Sequence, residues 1–157
     1  MIDYEHIIED SSFILCHFVT LLKTHDYYLN QHLKETDVSL GQYYMLMYMY
    51  ENDDFNQSDI AKVCLMDRSG VSRAFKDFEE YGLIERHVDE DNKRAYKITL
   101  TEKGVETAKF IEQKEKEWQE MICEDLDISV DDLDKLFKNM ALKSLHYNRE
   151  RLCQNLY

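Results

Sequence analysis

The sequence contains no proline and only four glycines, Gly41, Gly70, Gly82 and Gly104, in 157 residues. Because proline and glycine are the residues that most often interrupt helices, their scarcity permits long helices along almost the whole chain. The four cysteines are widely spaced and include no C-x-x-C pair, so the sequence indicates neither a zinc knuckle nor a disulfide framework. Reduced thiols are therefore expected.

Long apolar runs are also missing. No segment approaches the roughly 18 consecutive apolar residues that a membrane span requires. Met1 is not followed by the cationic, apolar and small-residue order of a signal peptide. We therefore expect a cytoplasmic protein without a membrane partner, folded as a single domain over residues 1–157.

Positive charge is scarce, since 19 Lys and Arg face 32 Asp and Glu and the formal net charge is −13. Such a balance ordinarily argues against a nucleic-acid partner, but the local charge matters more than the total. From Lys62 to Lys97, eight bases face eight acids, so the rest of the chain holds the whole deficit. The apolar content of 44% excludes a disordered polyanion.

Helical periodicity dominates the first third of the chain. Apolar residues between Tyr4 and about Leu33 recur at three- and four-residue steps, which predicts one long amphipathic helix. Ser39 is the predicted N-cap of a buried second helix that runs through Tyr50, and Asn56 is the predicted cap of a short third helix. The expected fold class is mainly α.

A helix-turn-helix and a small hairpin follow. A fourth helix is predicted to begin at Asp67 or Arg68 and to end where Gly82 supplies a left-handed C-terminal cap. Only a few residues separate it from the third helix, as in a helix-turn-helix. The pattern then changes to period two on both sides of "DEDN", which predicts a β-hairpin. Thr101 is expected to cap a long helix, and a last helix follows "DISVDD".

The fourth helix carries the candidate DNA contacts. Polar side chains near the start of a helix in the major groove reach base edges and phosphates; arginine can bind guanine through two hydrogen bonds, and lysine can neutralise a phosphate. A glycine there lets the backbone approach a phosphate. The alternative is a solvated face in which Arg73 pairs with Asp77. The candidates on this helix are Arg68, Ser69, Gly70, Ser72, Arg73 and Lys76.

The segment from "SDIAKVCLMDRSG" to "YKITLTEKG" resembles the winged helix-turn-helix core of the MarR (multiple antibiotic resistance regulator) family. The family's wing pattern is D-x-x-D-x-R, followed after five residues by L-T, with G-L-I-x-R upstream. Asn92 stands where that pattern has its second aspartate. The positions that match are Asp89, Arg94, Leu100, Thr101, Gly82, Leu83, Ile84 and Arg86.

The resemblance implies a homodimeric regulator and not an enzyme. Residues 1–35 and 102–157 would form dimerisation helices around a winged helix-turn-helix core at residues 38–101. The dimer would bind a pseudo-palindromic double-stranded DNA operator, probing the minor groove with Arg94, and would act as a repressor. Lys93 and Arg86 join the expected DNA contacts. A small phenolic or other aromatic anion would release the DNA, with no cofactor and no metal.

The same resemblance places an effector cleft between the dimerisation helices and the DNA-binding lobe. Tyr43 and Tyr44 are its candidate residues, with His17 and Tyr28 on the first helix, although a run such as "YYMLMYMY" more often forms a core than lines a pocket. Cys16 is either a structural thiol or the sensor of a redox-responsive regulator. A second alternative for the whole chain is a winged-helix protein-interaction module whose acidic surface excludes DNA.

Overall fold

The computed structural model describes residues 8–9, 11–52, 57–64, 66–88 and 96–155, without the side chains of residues 57, 58, 88, 96 and 149–155. The predicted architecture, mainly α with a β-hairpin, is confirmed. None of the helices in these ranges is long and apolar enough to cross a membrane. Along the chain the elements are α1 (Ile14–Leu33), α2 (Tyr43–Glu51), α3 (Gln57–Val63), α4 (Arg68–Glu80), β1 (Ile84–Val88), β2 (Tyr96–Leu100), α5 (Glu102–Cys123) and α6 (Val130–Asn155).

The first helix starts later than the periodicity predicts. The described part of the chain is helical at residues 8–9 but not at residues 11–13, and α1 begins at Ile14. Ser11 Oγ accepts a hydrogen bond from the backbone N–H of Phe13 at 3.3 Å. Serine side chains that bond to nearby backbone compete with helix formation. The prediction of one uninterrupted helix from Tyr4 is therefore wrong, and residues 1–7 lie outside the described ranges.

The predicted N-cap of the second helix is also wrong. Residues 40–42 form a turn, and α2 begins at Tyr43 with Gln42 in the N-cap position. Gln42 Oε1 accepts hydrogen bonds from the Ser39 hydroxyl at 2.7 Å and from the Ser39 N–H at 3.1 Å. The serine hydroxyl thus donates to a side chain and caps no backbone N–H. Asn56, the predicted cap of α3, lies outside the described residues.

One hydrophobic core contains residues from every element between α1 and α5. The aromatic pair Phe75 and Phe78 of α4 lies at its centre, with the two rings 6.4 Å apart. Leu29 of α1 and Ile111 of α5 reach the same core from the other side. Burial of such side chains stabilises each by about 1.5–3 kcal/mol relative to exposure, so this cluster fixes how α4 is held.

The hairpin pairs its strands in antiparallel register, with Ile84 opposite Leu100 and Val88 opposite Tyr96. Ile84 and Ile98 are buried against the helical core. The register leaves residues 89–95 as the connection between the strands. Those residues, which include Lys93 and Arg94, lie outside the described ranges.

The helices α1 and α6 remain largely unburied. None of the described α6 residues belongs to the buried core, although the ring of Phe137 meets that of Phe18 of α1 edge-to-face at 6.2 Å. Both helices expose large apolar side chains, beginning with Ile14, which is 63% exposed. The others on these two helices include Leu15, Val19, Leu22, Leu136, Met140, Leu142 and Leu145.

Candidate nucleic-acid interface and effector pocket

The helix α4 begins at a side-chain cap. Asp67 Oδ1 accepts hydrogen bonds from the Ser69 hydroxyl at 2.6 Å and from the Gly70 N–H at 2.8 Å. These bonds, with a smaller contribution from the charge of Arg73, hold the pKa of the Asp67 carboxyl below its usual range. A carboxylate at this position also interacts favourably with the helix dipole. The start of α4 is therefore specified by residues within three positions of one another.

The two faces of α4 have opposite character. Val71, Ala74, Phe75 and Phe78 are buried in the core, which fixes the rotation of the helix about its axis. The opposite face is exposed. We call it the recognition surface, and its members are Arg68, Ser69, Ser72, Arg73 and Lys76.

The cations of the recognition surface form no ion pair with any described residue. Within the described residues, no ion pair involves Arg68, Arg73 or Lys76. The alternative pairing of Arg73 with Asp77 is not formed. Asp77 Oδ2 instead accepts a hydrogen bond of 2.7 Å from Gln42 Nε2, at the start of α2. The guanidinium and ammonium groups are thus available to an external anion.

The C-terminal end of α4 is closed as the sequence predicts. Gly82 adopts a left-handed conformation with φ of +69°. Leu83 N–H donates to Phe78 O at 2.7 Å and Gly82 N–H donates to Glu79 O at 3.0 Å, the two bonds of a Schellman motif. Leu83 is fully buried. The helix therefore ends where the chain must turn into β1.

The start of α5 is joined to this same turn. Thr101 Oγ1 accepts from Gly104 N–H at 3.0 Å, as predicted for a cap, and donates to Gly82 O at 2.6 Å. Lys103 Nζ donates to Tyr81 O at 2.7 Å. A Cβ atom on Gly104 would overlap the carbonyl oxygen of Leu83. Since no side chain fits between α5 and the end of α4, the long helix and the recognition helix form a tight joint.

Two of the other candidate DNA contacts have intramolecular partners. Arg86 Nε lies 2.8 Å from Glu79 Oε1, so this arginine ties β1 to α4. The Ser69 hydroxyl is used in the cap of α4. The expected wing contacts of Lys93 and Arg94 fall outside the described residues and stay predictions, as do the roles of the recognition surface.

A pocket of about 840 Å³ lies between α1, α2, α5 and α6. Its size is that of a small-molecule site. The ring centroids of Tyr43 and Tyr44 lie 4.2 Å apart with the planes tilted by 33°, and the rings of His25 and Trp118 meet edge-to-face at 4.6 Å. We call it the aromatic pocket, and its aromatic lining is Phe18, Tyr43, Tyr44, Tyr48, Trp118 and Phe137.

The charged groups of the aromatic pocket are mostly acidic. Glu115 holds His25 Nε2 through both carboxylate oxygens, at 2.9 and 3.0 Å. Lys116 Nζ lies 2.8 Å from Glu112 Oε1. Glu51, at the end of α2, also lines the cavity. The only ammonium group among the described lining residues is therefore already held by a carboxylate.

The structure brings together two of the four predicted effector residues. Tyr43 and Tyr44 line the aromatic pocket, and burial, aided by Tyr44, raises the pKa of the Tyr43 phenol, so that it stays neutral. His17 and Tyr28 do not line it. His17 Nε2 lies 3.1 Å from Ser11 O, and the Tyr28 hydroxyl donates to Glu117 Oε2 at 3.4 Å.

Sequence reasoning missed the polar centre of this pocket. His25 lies three residues after Leu22 and four before Leu29, so it falls in the apolar stripe of α1, and a histidine there signals a buried polar partner. The identity of that partner, Glu115, could not be read from spacing because it lies 90 residues away. Trp118 follows Glu115 by three residues and therefore faces the same side of α5.

Cys16 and Cys64 are two of the described thiols. Cys16 is half-buried on α1, and its thiol forms no hydrogen bond with any described residue. Cys64 lines the aromatic pocket, and burial raises the pKa of its thiol, which disfavours the reactive thiolate. No group of three or more potential metal ligands occurs among the described residues.

Comparison with known proteins finds similarity over the helix-turn-helix and hairpin. A sequence model of the MarR family matches residues 36–95. The chain is 39% identical over 75 residues to the uncharacterized HTH-type transcriptional regulator YybA of Bacillus subtilis, covering 48% of this chain and 50% of that one. It is 25% identical over 120 residues to the HTH-type transcriptional regulator SarZ of Staphylococcus haemolyticus, covering 76% of each chain.

The similarity extends to a solved complex with DNA. A MarR family transcriptional regulator of Listeria monocytogenes, crystallised with a 26-mer DNA, superposes with a TM-score of 0.71 at 25% identity. The match covers 88% of this chain and 89% of that one. The chain thus spans about half of YybA but most of this structural neighbour.

Proposed function

We propose that the chain is a MarR-type winged helix-turn-helix transcriptional regulator that binds a pseudo-palindromic DNA operator as a homodimer. It acts in the cytoplasm as a repressor. A small aromatic molecule in the aromatic pocket lowers its affinity for the operator. MarR-family proteins are DNA-binding regulators and not enzymes.

The observation that carries this proposal is the recognition surface. Arg68, Arg73 and Lys76 are exposed on one helix face and have no acidic partner among the described residues, in a chain with a net charge of −13. An unpaired exposed cation gives up no intramolecular ion pair when it meets a phosphate. Release of counterions from DNA then favours binding. The surrounding acidic surface repels DNA and limits docking to this face.

Each residue of the proposed interface has a distinct role. Arg68 and Arg73 contact base edges in the major groove, and Lys76 contacts a phosphate. Gly70 lets the start of α4 approach the backbone, with Ser69 and Ser72 beside it. Arg94 enters the minor groove with Lys93 nearby, whereas Arg86 contributes by fixing β1 against α4 through Glu79.

The exposed apolar faces of α1 and α6 support the dimer. Contiguous apolar patches on a protein surface usually mark an interface, and Ile14 at 63% and Leu136 at 49% exposure belong to such faces. We assign dimerisation to residues 1–35 and 102–157. A two-fold dimer presents two recognition helices to successive major grooves about 34 Å apart.

A short chain of contacts links the aromatic pocket to the recognition surface. Tyr43 lines the pocket, and the residue before it, Gln42, donates to Asp77 on α4. Asp77 is one helical turn from Arg73. A ligand that displaces Tyr43 therefore moves the start of α2 against α4, which changes the spacing of the two recognition helices and releases DNA.

Selection of bound fragments from the source genome tests this function. The full chain should enrich a fragment with an inverted repeat, and its affinity should fall steeply as salt is raised. Sedimentation should show a dimer at the same concentrations. A protein that prefers no duplex even at low salt would refute the regulator and favour a protein-interaction module.

A further inference from the structure

The aromatic pocket discriminates between ligands by charge. We infer that it binds a hydrophobic organic cation in preference to an aromatic anion of the same shape. This inference rests on the proposed function only for its consequence, the release of DNA. It reverses the ligand charge that the family resemblance implies, for a reason specific to this chain's lining.

The described residues that line the pocket carry more negative than positive charge. Lys116 is neutralised by Glu112, to which it is bound at 2.8 Å. Glu51 forms no ion pair within the described ranges and leaves at least one uncompensated negative charge among the described lining residues. When His25 is neutral, the carboxylate of Glu115 adds a second. Whatever the charge of His25, the described lining is net negative.

The aromatic rings of the lining favour a positively charged ligand. The face of an aromatic ring carries partial negative charge and attracts cations within about 6 Å of its centroid. Rings from four helices, among them Tyr44 on α2, Trp118 on α5 and Phe137 on α6, surround one cavity. Tyr44 is 58% exposed, so its ring remains available to a ligand. Such a cavity supplies both apolar contact and attraction for positive charge.

An anion in this pocket would lack a free cation among the described lining residues. A carboxylate or phenolate moved from water into a half-buried site requires a cation or several hydrogen-bond donors. The ammonium of Lys116 is engaged, and His25 is held by both oxygens of Glu115. An anion would have to break one of these contacts to obtain a cation, and the carboxylates of Glu51 and Glu115 would still repel it.

Tetraphenylphosphonium and tetraphenylborate test this inference directly, because they have almost the same shape and opposite charge. Trp118 is the only tryptophan in the chain and lines the cavity, so its fluorescence reports occupancy. Titration of the full-length protein should show the cation binding at least about tenfold more tightly than the anion, as expected for one or two charges at close range. Equal affinities, tighter binding of the borate, or no response to the phosphonium would overturn the inference.

Neutral variants locate the source of the selectivity. Glu51→Gln and Glu115→Gln should each weaken phosphonium binding severalfold and leave borate binding unchanged or tighter. Glu106→Gln removes an exposed charge from α5 outside this cavity and serves as the matched control. Should Glu115→Gln fail to fold, Glu51→Gln still decides, because Glu51 is exposed and forms no ion pair with a described residue. An unchanged ratio in Glu51→Gln would place the selectivity elsewhere and refute the assignment.

The same titrations separate this inference from the proposed function. Charge selectivity is measured on the protein without DNA, and operator binding is measured without either ion. A protein that selects the cation but binds no DNA refutes the regulator alone. A protein that binds its operator but shows no charge preference refutes the ligand class alone.

Discussion

The recognition surface and the aromatic pocket are built from faces of neighbouring helices around one core, yet they treat charge in opposite ways. On α4, Arg73 and Lys76 are exposed and form no ion pair with a residue that the structure describes. In the pocket, Lys116 is held by Glu112, and Glu115 is held by His25. The first arrangement leaves positive charge available, and the second leaves a negative surplus.

This difference explains why the net charge of −13 does not predict the ligand of either region. What matters for binding is whether a charge already has a partner when the ligand arrives, because breaking an existing ion pair offsets the new one. Gln42 bears on both regions, since it donates to Asp77, one helical turn from Arg73, and lies next to the pocket tyrosines. Substitutions in each region and at the contacts between them test how separate the two regions are.

The largest effect is expected where the start of α5 packs against the turn after α4. Gly104→Ala should lower the free energy of unfolding by about 2 kcal/mol or more, because the new methyl group would overlap the Leu83 carbonyl. An alanine inside a helix ordinarily stabilises by up to about 1 kcal/mol relative to glycine, so the opposite sign is diagnostic. Chemical denaturation measures it.

Gly70→Ala is the matched control for that substitution. A Cβ at Gly70 would meet Met66 Cε at 3.4 Å and the Asp67 carboxylate at 3.7 Å, which is ordinary contact. This variant should be as stable as the parent or more so, while binding DNA more weakly if the backbone of α4 approaches a phosphate. Destabilisation of both variants to the same extent would show that the joint is not special.

Loss of a recognition-surface arginine should come next in size. Arg73→Ala should weaken binding to the selected operator by about 10- to 100-fold and relax preference at the contacted bases. Arg94→Ala should weaken binding to all sequences more evenly, with a smaller salt slope. Fluorescence anisotropy at two salt concentrations measures both.

Lys116→Ala is the control for charge, because it removes a cation that is paired inside the aromatic pocket. Its operator affinity should stay within about twofold of the parent value. If Arg73→Ala and Lys116→Ala reduce DNA binding equally, then net charge and not the recognition surface governs the interaction.

A smaller effect is expected at the contact that links the two regions. Gln42→Ala removes the hydrogen bond to Asp77. Without ligand, the operator affinity of this variant should differ from the parent value by about twofold or less. The tetraphenyl ion that occupies the pocket lowers operator affinity in the parent, and this effect should be severalfold smaller in the variant. Gln31→Ala, at an exposed position of α1, is the control. An unchanged ligand effect in Gln42→Ala would show that coupling runs through another contact.

The smallest effect is a pH dependence of α4. Because hydrogen bonds hold the folded-state pKa of Asp67 below its unfolded value, the carboxylate contributes stability above the unfolded pKa and loses it as pH falls through the folded one. Asp67→Ala should lower Tm by a few degrees near pH 7, and the difference should shrink below about pH 4. Asp127→Ala, in an exposed loop, should show no such convergence.

Elements closed by neighbouring residues were predictable. Asp67 and Thr101 accept backbone N–H groups three residues ahead, and Gly82 supplies the left-handed turn after α4, so each boundary depends on a short sequence. The two wrong predictions, the starts of α1 and α2, also depend on residues close together in the sequence. Ser11 interrupts the periodic run before α1, and Ser39 donates to Gln42 when its hydroxyl was expected to accept.

By itself, then, the sequence determined the order of helices and hairpin and the buried and cationic faces of α4, because periodicity and capping act over three or four residues. Only the tertiary structure decided which charges are paired. His25 with Glu115, Gln42 with Asp77, and Arg86 with Glu79 join different elements, and spacing along one helix cannot specify a partner on another. Those pairings set which cations remain available to DNA and which carboxylates remain available to a ligand.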